Sequence, residues 1–183
     1  MKFDLDKILP GDILCVRSTT SFGKLIRATL GCYTNHNGMF VKKNGVWMIG
    51  EAISPNSTLT DPRDYEWLAT EGGFVLRVLR IPESKITMEE REAMAQYLVD
   101  HKLGIPYPLS VIRLWIFRIV NSLPWKIHGE WCTKIVWESC EAIAPGILDR
   151  PDGKRKLNPT PRTIENRLVA GVLEDVTRQV LTT

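Results

Sequence analysis

HNGMFVKKNGVWMIGEA, residues 36–52, is the stretch whose reading decides the fold. Two apolar runs, 36–42 and 46–52, flank Lys43-Asn44-Gly45. Asn-Gly between apolar runs is the strongest short-range hairpin signal, because both central residues of a type I′ turn need positive φ. With Asn44 and Gly45 as the loop, Lys43 faces Val46, Val41 faces Met48 and Gly38 faces Glu51. Directly paired residues share a face, and so do residues two apart. His36, Gly38 and Glu51 therefore share one face, with His36 and Glu51 as diagonal neighbours at roughly 7–8 Å between backbones. A carboxylate there holds an imidazole's tautomer and stabilises its charged form. Gly38 leaves room beside them. The plainer reading of the same register is a surface His and a surface Glu, and a bulge would shift the register by one.

Upstream, GDILCVR (11–17) follows Pro10-Gly11 and reads as a first strand. Phe22, Leu25, Ile26 and Leu30 repeat at helical spacing over 21–30, and Gly31 stops that helix. Downstream, Pro55, Pro62, Gly72 and Gly73 punctuate 54–73, which reads as a loop excursion with one helical turn around Tyr65–Leu68. Residues 74–81 form a strand ended by Pro82. Thr87 and Glu90 make a capping box, opening a helix whose apolar face is Ala93, Met94, Tyr97 and Leu98. Gly104 follows its end, and 104–108 is a tight connector. The strongly apolar 109–120 segment, with Trp115 and Phe117, reads as a core helix or as a surface for an acyl chain or membrane. Thr160 as N-cap and Pro161 at N1 start a short helix to about Leu168, Gly171 ends it, and 172–181 is a last strand. Strands gather early and helices late. That order argues α+β with an antiparallel sheet, in one domain spanning 1–183.

Composition excludes several classes. A net charge of +3 with 25% charged residues is too weak for nucleic acid as a specific partner. The basic run 150–156, RPDGKRK, reads as a solvated loop. Four cysteines without CxxC spacing make neither a disulfide framework nor a zinc site, so no metal and no cofactor is expected. The N-terminus lacks an apolar h-region, and Arg113 and Arg118 interrupt the longest apolar run. A cytoplasmic location without a transmembrane segment is expected, with peripheral membrane contact through 109–120 as an option.

The second informative stretch is HGEWCTKIVWESC, 128–140. Gly129 and Glu130 open a helix, and Cys132, Ile135, Val136, Ser139, Cys140 and Ile143 repeat on one face. Cys132 falls in the first turn, where backbone N–H groups lack intrahelical partners and favour a thiolate. It reads either as a small buried core residue or as a nucleophile. A nucleophile needs a base, and the chain has three histidines. His36, with a carboxylate on its face, ranks first. His128 comes second, and His101, near a helix end, suits a plain cap.

These stretches resemble the circularly permuted branch of the NlpC-type, papain-like cysteine peptidases, with the YiiX/YebB-like members closest in pattern; lecithin retinol acyltransferase belongs to the same broad group. The resemblance covers about residues 10 to 165. It rests on GDILCVRSTTSFGKLIRATLG, YTNHNGMFV, VWMIGEA and EWCTKIVWES, in the permuted order with His36 before Cys132. It implies a papain-like α+β fold, an antiparallel sheet or small barrel packed on helices, with Cys132 as nucleophile, His36 as base and Glu51 as third member. Gly104-Ile-Pro-Tyr107 resembles the segment before the cysteine, and Asn158-Pro-Thr-Pro161 the segment after it. Asn35 stands where the family often has serine, and Trp131 is bulkier than expected. The activity implied is cleavage of a peptide, peptidoglycan-stem or lipid-amide bond. The alternatives are an acyltransferase or thioesterase using the same residues, and an interaction module without turnover.

Overall fold

The computed structural model describes residues 1–108, 131–149 and 159–182. The 109–120 segment, His128 to Glu130, the basic run and Asn158 lie outside the described residues. The elements are β1 (Lys2–Phe3), β2 (Ile13–Arg17), α1 (Ser21–Leu30), β3 (His36–Lys43), β4 (Val46–Ile53), β5 (Asn56–Thr60), α2 (Pro62–Thr70), β6 (Val75–Arg80), α3 (Met88–His101), α4 (Cys132–Ile143), α5 (Pro161–Val169), β7 (Glu174–Asp175), α6 (Thr177–Val180) and β8 (Leu181–Thr182).

A six-stranded sheet runs in the order β5-β4-β3-β2-β6-β7, with every pair antiparallel. It is open, not a closed barrel, and β1 and β8 form a separate two-stranded ribbon. The central hairpin has the register its sequence implies: Lys43 opposite Val46, Val41 opposite Met48 and Gly38 opposite Glu51. Asn44 and Gly45 both have positive φ, 53° and 78°, as a type I′ turn demands.

Both faces of this sheet are covered, so β2 is apolar at successive positions. Ile13, Met39, Val41 and Leu79 look one way, onto Met94 and Leu98 of α3 and Ile135, Val136 and Cys140 of α4. Leu14, Val16, Phe40, Ile49 and Val78 look the other way, onto Phe3, Tyr65 of α2 and Val180. Asp12, fully buried at the head of β2, takes a two-pronged ion pair from Arg80 of β6, at 2.8 and 2.6 Å.

Local signals set the helix ends. Thr20 caps α1 by accepting from the Gly23 N–H, and Gly31 closes it at φ 63°. Thr87 and Glu90 form the expected capping box of α3. Its buried face differs in detail: Arg91 and Ala95 join Met94 and Leu98, while Ala93 is half-buried. Thr160 and Pro161 open α5.

Two stretches differ from expectation. The excursion 54–73 contains a strand, β5, and a nine-residue helix, α2. NSTLT lacks an apolar alternation because β5 is an edge strand, held to β4 mainly by backbone pairing. Asp61 caps α2 with Pro62 in its first turn, a start signal hidden among loop-forming residues. The stretch 172–181 is not one strand. Asp175 accepts from the N–H and hydroxyl of Thr177, which turns the chain into α6 and splits β7 from β8.

Gly50 of β4 lets α3 approach closely. A Cβ there would stand 2.3 Å from Leu98 Cδ2. Gly50→Ala is expected to cost about 1–3 kcal/mol by overpacking, and Leu98→Ala about 2–5 kcal/mol by cavity formation. The double variant should lose clearly less than the sum, measured by urea denaturation. Simple additivity would show that the two residues do not press on each other.

Candidate active site

His36 opens β3 and Glu51 lies near the end of β4, so the hairpin register alone brings them together. The Nε2 of His36 is hydrogen-bonded to Glu51 Oε2. Glu51 is 1% exposed, and a carboxylate buried so deeply needs several donors. Tyr65 of α2 donates its hydroxyl at 2.5 Å, and Thr60 of β5 donates its own. Gly38 makes the space: a Cβ there would meet Ile49 Cγ2 at 2.5 Å.

Cys132 is the first residue of α4. The N-cap, Trp131, supplies no side-chain cap, which leaves the first-turn N–H groups without that partner. Trp131 is fully buried and donates its indole N–H to Pro159 O at 2.7 Å, fixing where the helix begins. The start of α4 meets the start of β3. There the Cys132 thiol and the His36 imidazole line the same cleft, and the charge of His36 and the backbone N–H of Asn37 both favour the thiolate. With Nε2 turned to Glu51, Nδ1 is the ring nitrogen left for the thiol.

The Asn37 side chain secures this meeting. Its Oδ1 accepts from Thr133 Oγ1 at 2.9 Å, and its Nδ2 donates to Cys15 Sγ at 3.0 Å. The residue after the histidine is thus tied to the residue after the cysteine.

Electrostatics single out one thiol of four. Burial pushes the Cys15 thiol well up, and pushes Cys32 and Cys140 up to about 12. Burial acts on Cys132 in the same direction, but the hydrogen bond and charge of His36, the Asn37 N–H and the Thr133 hydroxyl outweigh it and hold the thiol below its ordinary value. For His36, burial lowers the pKa, and the bonds to Cys132 and Glu51 carry it up to about 10. Burial raises the Glu51 carboxyl, and its bonds to His36, Thr60 and Tyr65 bring it below the usual value. Each of these shifts runs toward the charged form of its group: thiolate, imidazolium and carboxylate.

A cleft of about 330 Å³ opens over this pair, lined by Cys132 and His36 and walled by Val16, Phe22, Ile26, Phe74 and Tyr107. Sequence reasoning named Cys132, His36 and Glu51, and these three converge. His101 does not join them; it packs on Tyr97 at 4.7 Å. Reasoning from sequence missed Asn37, Thr60, Tyr65 and Thr133, which hold the three in place. Only Asn37 and Thr133 carried a hint, as immediate neighbours of the histidine and the cysteine.

No protein-family model matches the chain, and no curated protein matches it. Among solved structures, that of metalloprotein YiiX from Escherichia coli O157:H7, a DUF1105 protein, is similar over 92% of this chain and 96% of that one, with a TM-score of 0.61 and 21% identity. The chain has the YiiX fold. At that identity the likeness is one of architecture. Among the described residues, no group of three or more His, Cys, Asp and Glu side chains could hold a metal ion. Among the described residues, no helix is long and apolar enough to cross a membrane, and the four cysteines are free.

The Glu51 carboxyl has its folded pKa below the usual 4.5. Its contribution to stability is therefore complete above that value and fades as pH falls through the folded one. Tyr65→Phe removes one donor to the carboxylate. It should lower stability by about 1–2 kcal/mol at pH 7, and by progressively less as acidification protonates the carboxyl, followed down to pH 3. Urea denaturation at the two pH values checks this; a deficit equal at both would mean that the tyrosine acts through packing alone.

Proposed function

We propose that this protein is a cysteine hydrolase that cleaves amide bonds through an acyl-enzyme. The observation that carries the reading is that Cys132 and His36 line one cleft while His36 is hydrogen-bonded to the buried Glu51. The Cys132 thiolate attacks the substrate carbonyl, forming a C–S bond and pushing the electron pair onto oxygen. Backbone N–H groups at the start of α4 are suited to hold that oxyanion. As the intermediate collapses, the C–N bond breaks and His36 gives its proton to the departing amine. Water then attacks the thioester, His36 takes its proton, and Cys132 leaves as thiolate. Glu51 keeps the imidazole oriented and stabilises its charge throughout.

The resemblance to permuted NlpC-type, papain-like enzymes supports the same roles for the same three residues, and the likeness to YiiX supports that group at the level of fold. The substrate classes that follow are peptide, peptidoglycan-stem and lipid-amide bonds. A second reading, acyl transfer or thioester cleavage on lipid-like substrates, draws on the cleft's apolar walls and on Phe22 and Ile53, which are 46% and 40% exposed at its lining. A long-lived acyl-Cys132 that yields only to a non-water acceptor would favour it.

Limiting iodoacetamide at neutral pH, followed by mass mapping, tests the nucleophile. Cys132 should label first, with Cys15, Cys32 and Cys140 slow. His36→Ala should slow Cys132 by about tenfold or more, because thiolate stabilisation of 1.4 kcal/mol or more is lost. Wild-type labelling of Cys132 should persist at pH values below the ordinary thiol range, whereas in His36→Ala it should rise only as the pH climbs into that range. Equal, slow labelling of all four cysteines would leave only a binding module on this fold.

A further inference from the structure

Asn35 is held in an unusual way for a surface-loop amide. Its Oδ1 accepts from the Ser18 N–H at 2.8 Å, from Arg27 Nη1 at 2.8 Å and from Ser18 Oγ at 3.3 Å. Its own N–H donates to Val16 O at 2.9 Å. Three donors on one atom settle which end of the amide is oxygen. The other end, Nδ2, has no hydrogen-bond partner among the described residues. Asn35 is 8% exposed, and it lines the cleft beside His36 and Cys132.

The neighbourhood is built around this amide. Gly23 of α1 faces it, and a Cβ there would stand 3.1 Å from both Asn35 Nδ2 and Oδ1 and 2.0 Å from Ser18 Oγ. The adjacent hydroxyls are engaged with each other, Ser18 Oγ with Thr20 Oγ1 at 3.0 Å. A rigid amide with an unpartnered donor end therefore lines a mostly apolar cleft. A donor that is nearly buried loses free energy unless an acceptor meets it, and a site that offers one discriminates against ligands without the acceptor.

We infer that Asn35 is a substrate-binding residue whose Nδ2 donates to a carbonyl oxygen in the acyl half of the substrate. The inference rests on the hydrolase reading and sharpens it. A leaving amine departs beside His36, which protonates it. Asn35 is tied instead to Ser18 and Arg27, on the α1 side of the cleft, so the acceptor it meets belongs to the acyl group. An acyl group with its own amide carbonyl, as in a peptide or an acylated amino acid, satisfies the donor. A plain alkyl chain of the same length fills the apolar walls and leaves the donor unpaired.

Two p-nitrophenyl esters of matched length test this, one of N-acetylglycine and one of pentanoic acid. The readout is the ratio of their kcat/KM values, compared between wild type and variants so that intrinsic ester reactivity cancels. Asn35→Asp keeps an oxygen for Ser18 and Arg27 and replaces the donor with a second, negatively charged oxygen; Asn35→Ala removes both ends of the amide without adding charge. In each, the ratio should fall about tenfold or more. A ratio unchanged in Asn35→Asp, with wild type active, overturns the role of Asn35 and leaves the hydrolase reading standing. No turnover of either ester by wild type overturns the hydrolase reading and this inference with it.

Discussion

A buried carboxylate is the constraint on which the site depends. Glu51 lies within the sheet, almost without contact with water, and its negative charge is tolerable only because donors surround it. Those donors come from separate elements: His36 from β3, Thr60 from β5 and Tyr65 from α2. One side chain on β4 thus fixes the relative placement of three neighbours. It also locks the hairpin register, since a slip by one residue would turn Glu51 to the opposite face and strand it without partners.

The same balance, burial against specific partners, separates the cysteines. Cys132 and Cys140 sit on one helix and are both buried, at 2% and 0% exposure. Burial alone would make both poor nucleophiles. Cys140 packs in the apolar core, where burial carries its thiol up. Cys132 stands where the helix start, the imidazole and the Asn37 N–H meet. What distinguishes the two thiols is place along the helix.

Much of this was legible in the chain because the rules involved are local. Asn44-Gly45 set the hairpin, its register put His36 and Glu51 on one face, and Thr87 and Thr160 marked helix starts. The strand β5 and the helix α2 were hidden for an equally physical reason. An edge strand needs no apolar pattern, and Asp61-Pro62 is as good a loop signal as a helix start. The C-terminal segment was misjudged because apolar residues there serve a turn, a short helix and a strand in quick succession. No local rule reports that Thr133 reaches Asn37 across 96 residues of sequence, or that Tyr65 reaches Glu51. These contacts exist only once the layers are packed. The 109–120 segment and His128 fall outside the described residues.

The wide separation of the two halves of the site has a consequence for the newborn chain. The hairpin bearing His36 and Glu51 is complete long before the ribosome reaches position 132. Until α4 docks, the cysteine is an ordinary thiol, mostly protonated at neutral pH and no more reactive than its three siblings. Docking is what brings the imidazole and the Asn37 N–H to it and lowers its pKa. Unfolded or half-made copies therefore lack the partners that favour a thiolate.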